Sequence, residues 1–262
     1  MSMKTVSTEL FGEIREVSSL SEYVKRLKSI YYDSAAPRGW RGQSLVSWPL
    51  HPTAVRRIKK NGGSKHPFQN GLEQQVRKYE KELITRARNQ GHGTNQTGSR
   101  KTDLELLATL QHFGAATRLF DFTRNAMTAL WFACKNEEYH DRHGLVVGLQ
   151  RATSSEKIDF GSGIYDALDS LRGRLYCVYE PTEKYDRMTA QQGILVFSRL
   201  VDREYGSVDF PPKDDVDPPP YEPLEGVTLT AIAPGLKDQL CQSGVEKPCR
   251  RRQLRKRCIQ HL

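Results

Sequence analysis

The apolar residues of this chain fall into short, separated runs, and that limits the fold more than any other feature. Leu145–Leu149, Leu175–Tyr179, Gly193–Phe197 and Val227–Ile232 are apolar stretches of five or six residues, too short to be long buried helices. Such runs read as strands covered on both faces. None approaches the roughly 18–20 residues that a membrane-spanning helix needs. Between them the apolar spacing is helical. Leu20, Tyr23, Val24, Leu27 and Ile30 recur within Ser18–Tyr31, with Ser18 or Ser19 as cap. Leu72, Val76, Tyr79 and Leu83 mark one side of a charged helix over Gly71–Gln90. Thr102 with Glu105 three residues on predicts a capping box and a helix reaching about Phe113. Asn125–Asn136 reads as a buried helix with Trp131 and Phe132 in the core, and Leu236–Cys241 as a last one. Trp40–Gln43 is extended, 61–64 is a turn, 90–100 a flexible loop, Thr117–Phe122 a polar connector, and 205–223, with Pro218, Pro219 and Pro220 in a row, a linker. Helices mixed with short, separated strands predict an α+β protein.

Charge is unevenly spread over the 262 residues. Residues 54–101 carry 12 basic and 3 acidic side chains, residues 102–248 carry 15 and 23, and residues 249–262 carry 6 basic and none acidic. A chain so divided can hold a phosphate polymer on one face; a solvated surface with a basic tail is the plainer reading. Arg56, Arg57, Lys59 and Lys60, and in the tail Arg250, Arg251 and Arg252, are the candidate nucleic-acid contacts. The five cysteines are odd in number and scattered, which predicts neither a disulfide framework nor a metal site. The N-terminus has no apolar signal segment, so a cytoplasmic setting without membrane attachment is expected.

Three motifs resemble one family. Trp40-Arg41-Gly42-Gln43 followed by Trp48-Pro49-Leu50 is similar to the opening motif of the FRG domain. Gln111-His112-Phe113-Gly114-Ala115-Ala116-Thr117-Arg118-Leu119-Phe120-Asp121-Phe122-Thr123 resembles its second motif, with Ala116 where the family has Pro and Phe122 where it has Trp. Ala190-Gln191-Gln192-Gly193 resembles the third. The resemblance spans about 15–245, taking 54–101 as a basic helical insert and leaving 246–262 as a basic tail. It implies a bacterial protein of toxin or defence settings. The motif order further resembles the ADP-ribosyltransferase plan, which implies helices around a short-stranded, split, antiparallel or mixed sheet, NAD as substrate, and a neutralising antitoxin protein as partner.

Cleaving a nicotinamide–ribose bond needs a cation for the dinucleotide, stabilisation of an oxocarbenium-like ribose, and a group that orients or deprotonates the acceptor. Arg41 suits the first task, beside Gly42, where a ligand can approach the backbone. Arg118 is a second cation, with Gln43 and Thr117 as further cofactor contacts. Asp121 is a candidate base, Gln192 an amide for a ribose hydroxyl, and Glu80 the candidate for the missing acid. Arg118 and Asp121, three residues apart, equally read as a buried structural ion pair. No P-loop, nucleophile elbow, His-x-x-x-His or paired Cys-x-x-Cys is present. Two other functions stay open: a nuclease using His51, His112 or Asp121, and a non-enzymatic module binding a nucleotide through Arg41 and Arg118.

Overall fold

A computed structural model of the chain describes residues 4–33, 37, 39–61, 71–95, 97–149, 163–169, 176–181, 186–209 and 227–242. The strands are β1 (Thr5–Thr8), β2 (Gly12–Val17), β3 (Gly39–Gln43), β4 (Phe120–Thr123), β5 (Gly144–Leu149), β6 (Cys177–Tyr179), β7 (Gly193–Phe197), β8 (Leu200–Arg203), β9 (Gly206–Val208) and β10 (Val227–Ile232). The helices are α1 (Leu20–Asp33), α2 (Thr53–Asn61), α3 (Leu72–Asn89), α4 (Asp103–His112), α5 (Ala126–Cys134), α6 (Ile164–Asp169), α7 (Asp186–Ala190) and α8 (Pro234–Gln242). Eight strands form one sheet in the order β1-β2-β10-β5-β3-β4-β7-β6, and β8 with β9 makes a separate hairpin. The β10–β2 pairing is parallel and the others are antiparallel, so the sheet is mixed and the class is α+β. No helix among the described residues is long and apolar enough to cross a membrane.

The central strands have the all-buried pattern that their apolar runs predict: every residue of β5 and β10 is buried. Alternation then sorts their side chains. Leu145, Val147 and Leu149 join Phe120, Phe122, Ile194 and Val196 on one face, under Leu50 and Val208. On the other face, Trp40 and Val146 pack with α1, α5 and α8, and Leu195 and Phe197 pack with α3, α4 and α6. The helical layer is therefore in two parts, and α5 and α4 border the gap between them.

Gly42 brings α5 down onto β3. A Cβ there would overlap the Ala129 carbonyl oxygen and lie 2.8 Å from the Ala133 nitrogen. Asn125 starts α5 by accepting from the amides of Met127 and Thr128. Thr102 and Glu105 form the expected capping box on α4.

Three expectations need correction. Thr117–Phe122 is not a polar connector: Phe120–Thr123 is strand β4, and Thr117, Arg118, Leu119, Phe120 and Phe122 are buried. Its polar side chains hid the strand because their partners are distant in sequence. No expectation covered residues 5–17, which form a hairpin with few apolar side chains. Trp131 and Phe132 are half-buried rather than core, with the Lys135 ammonium over both rings. Within 205–223, Gly206–Val208 is a strand; most of the expected linker and residues 62–64 of the expected turn lie outside the described residues.

The Trp48-Pro49-Leu50-His51 segment docks on the β8–β9 hairpin. Leu50 exchanges backbone hydrogen bonds with Tyr205 and Ser207, and His51 Nδ1 lies 3.0 Å from Ser207 Oγ. Burial, reinforced by Lys59 and Arg56 against the opposing Asp202, lowers the His51 pKa from 6.5 to about 4.

Two outcomes are expected. Gly42→Ala lowers the melting temperature sharply or prevents folding, because backbone atoms of α5 occupy the space its methyl group needs. The unfolded chain protonates His51 below about pH 6.5, whereas the folded chain does so only near pH 4. Its contribution is thus intact above 6.5 and is lost as pH falls through that window, by on the order of 3 kcal/mol in full. Urea titrations from pH 7 to 4 should show a steeper fall for the wild type than for His51→Gln.

Candidate functional site

The sheet opens between β3 and β4. All five residues of β3 pair with β5, and all four of β4 pair with β7, yet β3 and β4 register only at Trp40 and Thr123. Beyond that point the Arg41 side chain bridges the strands, its Nη1 donating to the Asp121 carbonyl at 2.7 Å. The guanidinium lies 3.9 Å from the Phe120 ring centroid, and its buried Nε has no hydrogen-bond partner among the described residues. Burial lowers the Arg41 pKa to about 10, with Asp121 opposing the shift and Arg56 adding to it, so the group stays cationic at neutral pH.

A cavity of about 290 Å³ occupies this opening. Arg41, Gln111, His112, Asp121, Thr123 and Gln191 supply its polar lining, and Trp40, Phe122 and Phe132 its aromatic lining. The first and second motifs, 70 residues apart in the chain, thus meet across one cleft.

A hydrogen-bond relay sets the acid of this cavity. Thr117 Oγ1 donates to Gln111 Oε1, and Gln111 Nε2 donates to Asp121 Oδ1 at 2.8 Å. The two ends of the Gln111 amide are therefore both engaged, which fixes its orientation and, through it, the Asp121 carboxylate. Among the described residues, Asp121 is the only acidic one lining the cavity. Thr123 Oγ1 donates to the Gln191 carbonyl at 2.6 Å, tying β4 to the turn before β7.

The other candidates stand elsewhere. Arg118 is fully buried. Its Nε donates to Glu80 Oε2 at 2.7 Å, its backbone amide to Glu80 Oε1 at 2.7 Å, and its Nη1 to both Glu73 oxygens. The Arg118 partner is therefore the Glu80–Glu73 pair of α3, not Asp121, and the Glu80 carboxylate is used in that buried contact rather than in the cavity. Gln43 is buried, donating to the Leu45 and Trp48 carbonyls, where it shapes the turn after β3. Thr117 is buried and acts on the cavity through Gln111. Gln192 is exposed outside the cavity wall, with a left-handed φ of 47°, and the residue presented to the cavity is Gln191. His51, bonded to Ser207, is also outside the cavity; His112 lines it.

Gln111, Thr123 and Gln191 are the polar lining residues to which sequence reasoning gave no role. Gln111 meets Asp121 across a chain reversal, which no local spacing reveals. A turn with positive φ exchanges the faces expected for Gln191 and Gln192. Arg56, Arg57, Lys59 and Lys60 lie on α2, at the side of the opening; Arg250, Arg251 and Arg252 lie outside the described residues. No group of three metal-ligating side chains occurs among the described residues.

Glu80→Ala should lose roughly 3–5 kcal/mol in chemical denaturation, since it strands a buried cation. A Glu80→Ala protein with wild-type stability would contradict the structural assignment of this pair.

No curated protein and no solved structure matches the chain. The FRG domain family matches residues 37–142, a span from the start of β3 to just before β5 that contains Arg41, Gln111, His112 and Asp121. Over that span the chain is similar to the FRG domain family, and the two motifs within it form the facing walls of the cavity.

Proposed function

We propose that the cavity takes the nicotinamide-riboside end of NAD and splits its glycosidic bond, passing ADP-ribose to a macromolecule in the manner of an ADP-ribosyltransferase-like toxin. The observation that carries this reading is the convergence of one buried-edge cation, Arg41, and one oriented carboxylate, Asp121, on an aromatic-lined opening in the sheet. About 290 Å³ suits a single ring and its sugar, with the rest of the dinucleotide outside. Phe132, half-buried at the opening, offers a flat surface to a nicotinamide ring. Arg41 offers fork-like donors to a phosphate or ribose oxygen.

In this reading the acceptor's oxygen or nitrogen forms a bond to ribose C1′ as the C1′–nitrogen bond breaks. Nicotinamide leaves as a neutral molecule with the bonding electron pair. Asp121, held by Gln111, stabilises the positive charge developing on the ribose and takes the acceptor's proton. Unchecked NAD loss harms the cell that makes the enzyme, so a neutralising antitoxin protein belongs with the proposal. Binding of a nucleotide signal without turnover is the second reading. It is favoured by the Gln111 hydrogen bond, which already engages one oxygen of the carboxylate.

Nicotinamide release from NAD, followed chromatographically, tests both. Arg41→Ala and Asp121→Asn should each slow release about a hundredfold with circular dichroism unchanged. A folded Arg41→Ala protein releasing nicotinamide at the wild-type rate would sink the proposal. Calorimetric binding of NAD with no release by the wild type would support the sensing reading.

A further inference from the structure

The basic helix α2 stands against the cavity's rim. Its nine residues include Arg56, Arg57, Lys59 and Lys60 and no acid. The helix is fixed there by two contacts: the Ala54 amide donates to the Thr117 carbonyl at 3.1 Å, and Arg57 Nη2 donates to the Gly114 carbonyl at 3.3 Å. Gly114 itself lines the cavity, as do Gln111 and His112 at the end of α4. Ala54 and Val55 are buried against Ala116, Val76 and Leu200, so the helix cannot swing away without opening a core cluster.

The charges on this helix differ in how far they are neutralised. Lys59 is paired with Asp202 at 2.7 Å. Arg56 and Arg57 are exposed and make no ion pair among the described residues; Arg56 donates to Thr53 in its own helix. Arg56 is close enough to Arg41 for the two like charges to repel. At the same rim Phe113 is 62% exposed, an unburied aromatic ring set edge-on to His112 at 5.2 Å.

We propose that Arg56 and Arg57 of α2, with Phe113 of the α4–β4 turn, form a docking surface for single-stranded nucleic acid that delivers an unstacked nucleotide to the cavity. The inference rests on the NAD reading only in making that nucleic acid the acceptor; the binding surface stands by itself. Arginines paired with an exposed aromatic ring suit a strand whose phosphates and bases alternate. An acidic peptide uses the cations and leaves the ring idle. A duplex is disfavoured, because a narrow cavity reaches a base only once it has left the stack.

Fluorescence anisotropy with labelled single-stranded RNA and DNA oligonucleotides, a hairpin duplex and poly-glutamate, all without NAD, tests the surface. The double variant R56E/R57E should weaken single-strand binding at least tenfold and flatten its salt dependence. The charge-matched K25E/K28E on exposed positions of α1 should leave it unchanged. Phe113→Ala should weaken single-strand binding while leaving any residual poly-glutamate binding alone. Thermal melts confirm that each variant folds. Equal losses from the two double variants, or poly-glutamate or duplex binding as tight as that of single strands, would overturn the proposal, as would no single-strand binding by the wild type. Nicotinamide release persisting where single-strand binding is absent removes this surface alone. Intact, Arg56- and Phe113-dependent binding without any nicotinamide release removes the NAD reading and leaves the surface.

Discussion

A buried guanidinium organises the region on which everything functional depends. Arg118 has no solvent contact, and its charge is met by Glu80 and Glu73 from a helix about 40 residues earlier in the chain. Removing such a charge from water is expensive, and only close, multiply bonded partners offset it. The contact therefore holds α3 against the start of β4 in a single arrangement. Glu73 extends the same network by accepting from the Leu200 amide at 2.8 Å, which brings in the β8–β9 hairpin. Helices α2 and α3 are in this way tied into the core beside the motif, with Val76 packed on Ala116 and Leu200.

From that anchor the geometry of the cavity follows in short steps. Once Arg118 is pinned, its neighbour Thr117 is placed beneath Gln111, and Gln111 is set against Asp121. On the opposite wall, Gly42 lets α5 lie on β3, which brings Phe132 to the opening while Arg41 spans it. Two kinds of constraint, one electrostatic and one steric, thus meet at a place where two sheet strands separate. The motif residues divide accordingly: Arg118, Thr117 and Gln43 build the walls, and Arg41, Gly42, Gln111, His112 and Asp121 line the space between them.

That division explains why residue chemistry alone misassigns roles. Arg118, Glu80 and Asp121 all look like site residues as a bare list. Burial separates them, because Arg118 and Glu80 neutralise one another inside the protein while Asp121 remains exposed. The same holds for the two consecutive glutamines before β7, where a single left-handed residue determines which one reaches the cavity.

The sequence by itself determined the class and most elements. Helix periodicity, the Thr102–Glu105 cap and the apolar runs of β5, β7 and β10 are local signals, and local signals survive without knowledge of the fold. It also pointed to Asp121 through a motif long enough to be specific, and to Arg41 through a shorter one. Strand β4, the β1–β2 hairpin, the partner of Arg118, the relay through Gln111 and the position of α2 beside the cavity were decided only by tertiary structure. Each depends on residues far apart in the chain, and the sign of a polar residue's contribution depends on whether the fold gives it a partner or leaves it facing solvent.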